Sequence, residues 1–260
     1  MQTALDLLNV ENLGKSFRSL TALQDFSCTL HSGEIVGLIG PNGAGKTTCF
    51  NLITGFLVPT SGTVTFRGHA VGGKPPATVA NLGMARTFQN IRLFSDLSVL
   101  ENVQSAAQLR TPTGLWETLF STATFHQKER QIREKALNLL ELLDLAQYAD
   151  QPANSLPYGN QRRLEIARAL ATEPALLLLD EPAAGMNPAE SEALHQLILD
   201  LRNRFKLTIL LVEHDMKLVM NLCERIIVLN YGKIIAQGKP EEVRRNPEVV
   251  TAYLGSSVGQ

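Results

Sequence analysis

No stretch of this chain constrains its fold more than Gly40 to Thr48, which reads Gly-Pro-Asn-Gly-Ala-Gly-Lys-Thr-Thr. A short apolar run, Ile35-Val36-Gly37-Leu38-Ile39, precedes it, and a helical-looking segment with Phe50, Leu52 and Ile53 follows. The order is strand, glycine-rich loop, helix. Gly40, Gly45, Lys46 and Thr47 satisfy the spacing G-x-x-x-x-G-K-[ST]. Such a loop turns backbone N–H groups inward around a phosphate chain, and the helix behind it adds the positive end of its dipole. Lys46 supplies a point charge for the outer phosphates, and the Thr47 hydroxyl can ligate Mg²⁺. Gly40, Pro41, Asn42, Gly43, Ala44, Gly45, Lys46, Thr47 and Thr48 are therefore candidate contacts for a nucleoside triphosphate.

Composition narrows the class by exclusion. At 260 residues, 44% of them hydrophobic, the chain can bury a full core in one large domain, or in one domain carrying a subdomain. Lys+Arg 24 balance Asp+Glu 25 to a net charge of −1, so no global basic field draws the chain to nucleic acid. Cys28, Cys49 and Cys223 are far apart and form no Cys-x-x-Cys, which implies neither a zinc site nor a disulfide framework. A reducing cytosol is the simplest compartment. Met1–Leu13 has no basic lead and no long apolar run, unlike a signal peptide. The longest apolar runs, such as Ala175–Leu179 and Ile209–Val212, are strand-sized and far short of the ~20 residues of a spanning helix.

Leu5 to Val71 reads mostly as β, with short alternating patterns at Leu7–Glu11 and Thr21–Leu30 and turns at Ser32-Gly33, Pro59–Gly62, Arg67-Gly68 and Gly72-Gly73. Phe17 lies in a polar stretch there; it either stacks on a nucleotide base or packs, and position alone does not choose. From Asn90 the texture becomes helical. Ile132, Ala136, Leu139, Leu140 and Leu143 give Lys128–Gln147 the period of a surface helix. A connector, Leu115–Phe125, holds Trp116, and Pro152 and Pro157 end the section. Residues 90–160 are thus expected to form a helical subdomain inserted into an α/β core. The core resumes with helices at Asn160–Thr172, Glu190–Phe205 and Met216–Cys223, buried strands at Leu176–Leu179 and Thr208–Val212, and a hairpin around Asn230-Tyr231-Gly232. Alternating strands and helices around an early phosphate loop predict a doubly wound α/β core.

In such a sheet the C-terminal strand ends face the ligand crevice. Asp180 and Glu181 end one buried strand there. The Asp can hold Mg²⁺ through water, and the Glu can orient and deprotonate an attacking water. His214 follows a second buried strand at the same edge, which assigns it a place near the γ-phosphate. Gln89 stands where core gives way to insert; its amide reaches the metal or the attacking water, or it is a polar hinge residue, and chemistry alone does not choose.

These motifs together resemble the ATP-binding cassette family. The loop Gly40–Thr48, Gln89, the stretch Leu156-Pro157-Tyr158-Gly159-Asn160-Gln161, the strand ending Asp180-Glu181, and His214 stand in that family's order over essentially the whole chain. The resemblance implies a P-loop NTPase (RecA-like) core with an antiparallel β subdomain and an inserted helical subdomain. Its expected division is one cassette over 5–258, with core 5–89 and 161–240, helical unit 90–160 and tail 241–260. It implies hydrolysis of ATP with Mg²⁺ in a head-to-tail dimer, each nucleotide lying between one cassette's loop and the other's signature stretch. By that resemblance Phe17 stacks on adenine, and Thr47, Gln89 and Asp180 serve the Mg²⁺. Glu181 becomes the general base, His214 the γ-phosphate switch, and Leu156, Tyr158, Gly159 and Asn160 the contacts to the opposite nucleotide.

Two positions depart from the family pattern. The family usually has Leu-Ser-Gly-Gly-Gln, whereas this chain has Leu156-Pro157-Tyr158-Gly159-Asn160. Pro157 has neither the serine hydroxyl nor an N–H. Losing that charge-assisted hydrogen bond weakens the contact by about 1.5–3 kcal/mol. The helix expected from about Asn160 still aims its N-terminus at the phosphate. Asn187 stands where the family usually has Asp. A heterodimer with unequal sites tolerates both changes.

A narrower resemblance rests on Ala85–Phe94, the Tyr158-Gly159 variant running on through Gln161–Arg168, and the ending Asn246–Gly255. These are similar to the ATP-binding subunits of branched-chain amino acid importers. Partners implied are a second cassette, two membrane permease subunits and, indirectly, a substrate-binding protein, at the cytoplasmic face of the inner membrane. Cassettes for urea, amides or other amino acids, and a lipopolysaccharide-type exporter, are the neighbouring alternatives.

Overall fold

The computed structural model describes residues 6–110 and 123–255. Most of the connector around Trp116, and residues 256–260 of the expected tail, lie outside the described residues.

The chain opens with a long hairpin, β1 (Asp6–Phe17) and β2 (Leu20–His31), then β3 (Ile35–Ile39), the phosphate loop and α1 (Lys46–Ile53). β4 (Ser61–Phe66), β5 (His69–Ala70), α2 (Pro76–Asn81) and β6 (Met84–Arg86) follow. Next come α3 (Val99–Ala107), α4 (Ala123–Leu142) and α5 (Tyr158–Ala171). The core then runs β7 (Leu176–Asp180), α6 (Pro188–Phe205), β8 (Thr208–Val212), α7 (Met216–Leu222), β9 (Arg225–Asn230) and β10 (Lys233–Gly238), before α8 (Pro240–Arg244) and α9 (Pro247–Gly255).

Two sheets result. The larger has the order β10-β9-β3-β8-β7-β6, parallel except for β10; the smaller is antiparallel with the order β2-β1-β4-β5. Every residue of β3, β7 and β8 is buried, as their unbroken apolar runs require. Alternate side chains feed two cores. Ile35, Leu177, Leu179, Ile209 and Leu211 face the helices, whereas Val36, Leu38, Leu176, Leu178 and Leu210 join Phe26, Phe50 and Phe66 under the antiparallel sheet. Each such side chain contributes roughly 1.5–3 kcal/mol by leaving water, so both faces of the central strands are pinned in register.

Some boundaries differ from the sequence expectation for local reasons. β1 and β2 are longer than their alternation suggests, because register shifts interrupt the ladder and Asn12 and Asp25 take left-handed conformations. The helix expected over 128–147 ends at Leu142, since Asp144 is left-handed and a 3₁₀ turn over Ala146–Tyr148 takes up the remaining chain. The helix expected from Asn160 begins two residues earlier, at Tyr158, with extended Pro157 as its N-cap. That helix packs on α3 and α4 and also touches β6, so it spans the helical layer and the core. Cys28, Cys49 and Cys223 are buried and unpaired. Among the described residues no helix is long and apolar enough to cross a membrane.

Candidate nucleotide site

The parallel sheet brings the ends of β3, β7 and β8 to one edge. There a cavity of about 570 Å³ is bounded by Asn42–Thr48, Gln89, Glu181 and His214 on one part of its wall and by Leu20, Thr21, Ala22, Tyr231 and Gly232 on the other. Gly45 is required by the loop's path: its φ is 108°, and a Cβ there would lie 2.7 Å from the Ala22 carbonyl oxygen. Gly45 is also the N-cap of α1, with no side chain satisfying the first-turn N–H groups. Those donors stay directed at the cavity. Lys46 Nζ donates to the carbonyls of Gly40 (2.7 Å) and Pro41 (3.0 Å), folding the loop around its own ammonium. Burial pushes the Lys46 pKa below its ordinary value, against the opposing pull of Glu181 and Asp180.

Glu181 is clamped from both sides. Gln89 Nε2 donates to one carboxylate oxygen at 2.8 Å, and His214 Nε2 lies 2.6 Å from the other. With the carboxylate ionised, the imidazole Nε2–H is the donor. Glu181 sits at φ 48°, a left-handed conformation unfavourable for a side chain of this size. Its N–H is anchored to Val212 O at 2.9 Å, which holds the turn as it leaves the strand. Strain of this kind is found where a side chain must be delivered to one spot.

Thr47 and Gln89 both border the cavity. A hydroxyl and an amide oxygen, with phosphate oxygens and water, suit Mg²⁺, which keeps several waters and takes few protein ligands. Asp180 is placed differently from a direct ligand. It is buried, and its Oδ2 accepts from Arg86 Nη2 at 2.7 Å. Arg86 also donates to Asn51 on α1, so the Asp180 carboxylate lies in an ion pair behind the loop. Phe17 is exposed at the tip of the β1–β2 hairpin under Lys15 Nζ and does not line the cavity, although its neighbours Leu20–Ala22 do. Leu156, Tyr158, Gly159 and Asn160 do not line it either. Asn187 N-caps α6 in a capping box with Glu190.

Several supporting residues carry no sequence signal that singles them out. On α5, Arg162 donates to the carbonyls of Phe88 and Gln89, and Glu165 accepts the Phe88 N–H at 3.1 Å. The helix that begins at the signature stretch thereby grips the backbone from which Gln89 projects. Glu213, buried beside His214, accepts the N–H groups of Ala183 (2.9 Å) and His214 (3.1 Å) and ties the two catalytic-edge loops together. Burial raises its pKa above the ordinary carboxylate value, and Glu181 adds to the rise.

A phosphate loop, a strand-end Asp-Glu and a strand-end His on one parallel sheet edge, with a helical layer inserted beside them, define an ATP-binding cassette. The chain belongs to the ABC transporter family, which residues 23–184 match, while residues 233–258 match the branched-chain amino acid ATP-binding cassette transporter family. It is 48% identical over 251 residues (96% of this chain, 98% of the relative) to the high-affinity branched-chain amino acid transport ATP-binding protein LivG of Salmonella typhimurium. It is 44% identical, over 96% of this chain and 98% of the relative, to the protein BraF of Pseudomonas aeruginosa, which bears the same description. The ADP conformation of MJ1267, an ATP-binding cassette of an ABC transporter, superposes with a TM-score of 0.83 at 34% identity, covering 96% of this chain and 99% of that one.

Proposed function

We propose that this chain is the ATP-hydrolysing subunit of an importer for branched-chain amino acids, acting at the cytoplasmic face of the membrane beside a second, non-identical cassette and two permease subunits. The observation that carries the chemistry is Glu181, held by Gln89 and His214 at the mouth of the phosphate loop. The match of residues 233–258 favours the branched-chain class.

In this reading the backbone of Asn42–Thr48 and the Lys46 ammonium hold the phosphates. Lys46 exchanges its two loop carbonyls for phosphate oxygens, and its lowered pKa reflects a buried cation without a full counter-charge. Thr47 and Gln89 would hold Mg²⁺, which would supply positive charge to the phosphate oxygens. The Glu181 carboxylate orients the attacking water and accepts its proton, while His214 donates to the γ-phosphate. Phe17 contacts the base from the hairpin tip. Leu156, Tyr158, Gly159 and Asn160 serve the partner cassette's nucleotide. Asp180, through its pair with Arg86, orients the strand end rather than donating directly.

Phe88, next to Gln89 in the chain, lines a second cavity of about 710 Å³ between core and helical layer, with Phe56, Arg92, Leu93, Phe94 and Arg168 among its other walls. Phe94 is 51% exposed, whereas Leu93 packs against the core. An apolar groove with a basic rim fits a short helix from a permease. The helical unit 90–160 then passes movement between that groove and the core, 5–89 and 161–240.

Glu181→Gln tests the assignment. The variant is expected to bind ATP, to accumulate a closed dimer with the second cassette, and to lose nearly all turnover in the reconstituted transporter. Turnover and leucine uptake near the parent's would refute the role of Glu181.

A further inference from the structure

Tyr231 is 87% exposed and yet lines the nucleotide cavity. It occupies the first central position of the β9–β10 turn, at φ 45°, and Gly232 follows at φ 79°. Turns with both central residues left-handed favour Asn, Asp or Gly at the first position, because a large side chain is strained there. An exposed aromatic at such a position gains nothing from core packing that would offset the strain.

The turn itself is bolted in place. Gly232 N–H donates to Ala44 O of the phosphate loop at 2.9 Å, and Gln24 N–H of β2 donates to Gly232 O at 2.8 Å. A Cβ on residue 232 would lie 2.9 Å from Ala22 O, so the turn presses directly on β2. Two of the cavity's walls are thus tied together through the residue beside Tyr231. The ammonium and carboxylate of the cavity come from Lys46 and Glu181, with hydroxyls from Thr47 and Thr48; outside the phosphate loop its apolar members are Leu20, Ala22 and Tyr231. A nucleotide has one part that suits an apolar wall, its base.

We propose that Tyr231 is an aromatic wall of the base end of this site, stacking on the purine of the bound nucleotide beside Leu20 and Ala22. The inference rests on the reading of the cavity as the ATP site, and it gives the base an aromatic contact inside the cavity lining, in addition to the one proposed for Phe17 at the hairpin tip. Tyr231 also borders the groove between the phosphate loop and α9, where a turn that only props the loop would equally sit; the test separates the two.

The full chain, its Tyr231→Ala variant and its Tyr231→Phe variant are titrated calorimetrically with Mg·ADP and, separately, with Mg·tripolyphosphate, which has no base. Base–aromatic stacking predicts an ADP affinity about 5- to 100-fold weaker in Tyr231→Ala, with tripolyphosphate binding unchanged and Tyr231→Phe close to the parent. Equal ADP affinity in Tyr231→Ala and parent overturns the proposal. So does an equal loss for tripolyphosphate and ADP, which would make the turn a prop for the phosphate loop. A parent chain that binds neither ligand overturns the nucleotide-site reading itself, and the proposal with it.

Discussion

Replacing Arg162 by Met is expected to destabilise the fold by about 3–5 kcal/mol, the usual cost of stranding one partner of a buried ion pair. The side chains of Arg162 and Glu165 are only 2% and 6% exposed and meet at 3.0 Å. Met roughly preserves the volume, so the loss falls on charge and hydrogen bonds rather than packing. Glu165, whose pKa burial already raises, is left without its cation. The carbonyls of Phe88 and Gln89 lose their guanidinium donor as well. Against a total stability of roughly 5–15 kcal/mol the variant still folds at low temperature, but its Tm drops by roughly 6–20 °C. A double variant, Arg162→Met with Glu165→Gln, isolates the charge. The neutral amide that replaces the Glu165 carboxylate would keep an acceptor for the Phe88 N–H, so only the two carbonyls remain short of donors, at about 1 kcal/mol each. The double variant should therefore recover about 1–3 kcal/mol relative to Arg162→Met alone. Urea denaturation of parent, single and double variants measures this directly. A loss under about 1 kcal/mol in Arg162→Met, or a double variant no more stable than the single, would refute the account. Because Arg162 holds the peptide that bears Gln89, ATP turnover should also fall further than ADP affinity.

Two other outcomes follow from the same contacts. Phe94→Ala should weaken docking on the permeases by about 2 kcal/mol, roughly 30-fold, if the exposed ring is an anchor in the groove; leucine uptake by proteoliposomes falls while ATPase activity of the free chain persists, and loss of nucleotide binding would count against the groove. Glu213 supplies a pH dependence. Its folded pKa lies above the ordinary 4.5, so the native state binds the proton more tightly than the unfolded chain. Its contribution is present below that value and is lost as pH rises through the raised pKa. Urea midpoints of the parent should thus decline over that window more than those of Glu213→Gln, and parallel curves would refute the assignment.

The sequence makes most of this fold legible because its strongest signals are local. An unbroken run such as Leu176–Leu179 must be buried on both faces, and a glycine-rich loop between strand and helix admits few alternatives. Glu181 and His214 can be placed at one edge because strand ends in a parallel sheet share a face, whereas Gln89, beyond the end of β6, is assigned there only by family resemblance. Their mutual hydrogen bonds cannot be read from sequence, since these depend on rotamers and on loops from three separate elements. Arg86, Arg162, Glu165 and Glu213 are invisible for a related reason. Each looks like an ordinary charged residue on a strand, helix or loop until tertiary packing shows its side chain enclosed. The Asp180–Arg86 pair is the sharpest instance. A strand-end Asp reads as holding Mg²⁺ through water, and only the neighbouring strand β6 shows its Arg86 partner. Tyr231 is legible only as part of a turn. Its mismatch with the turn's usual residues is the signal the sequence offers.

The earlier start of α5 changes what Pro157 means. In the usual signature a serine reaches the opposite phosphate with its hydroxyl. As an N-cap, the same hydroxyl would also be free to bond its own helix's first-turn N–H groups. Pro157 can do neither, and no side chain caps α5. The first i→i−4 bond runs from Gln161 N–H to Pro157 O, so the N–H groups of Tyr158, Gly159 and Asn160 precede the helix's own ladder. In the proposed head-to-tail pair, a γ-phosphate presented by the partner would meet those three donors at the positive end of a helix, though without the hydroxyl. The contact is weakened rather than abolished. Its remaining strength depends on how closely the backbone of Tyr158–Asn160 approaches, and the half-exposed Tyr158 ring, packed over Gly185, borders that approach. A cassette with a complete loop and a reduced signature contributes more to its own nucleotide than to its neighbour's. Two identical copies would make both sites equally deficient. A partner with an intact signature would leave the ATP on Gly40–Thr48 fully enclosed, which is the physical argument for a non-identical pair.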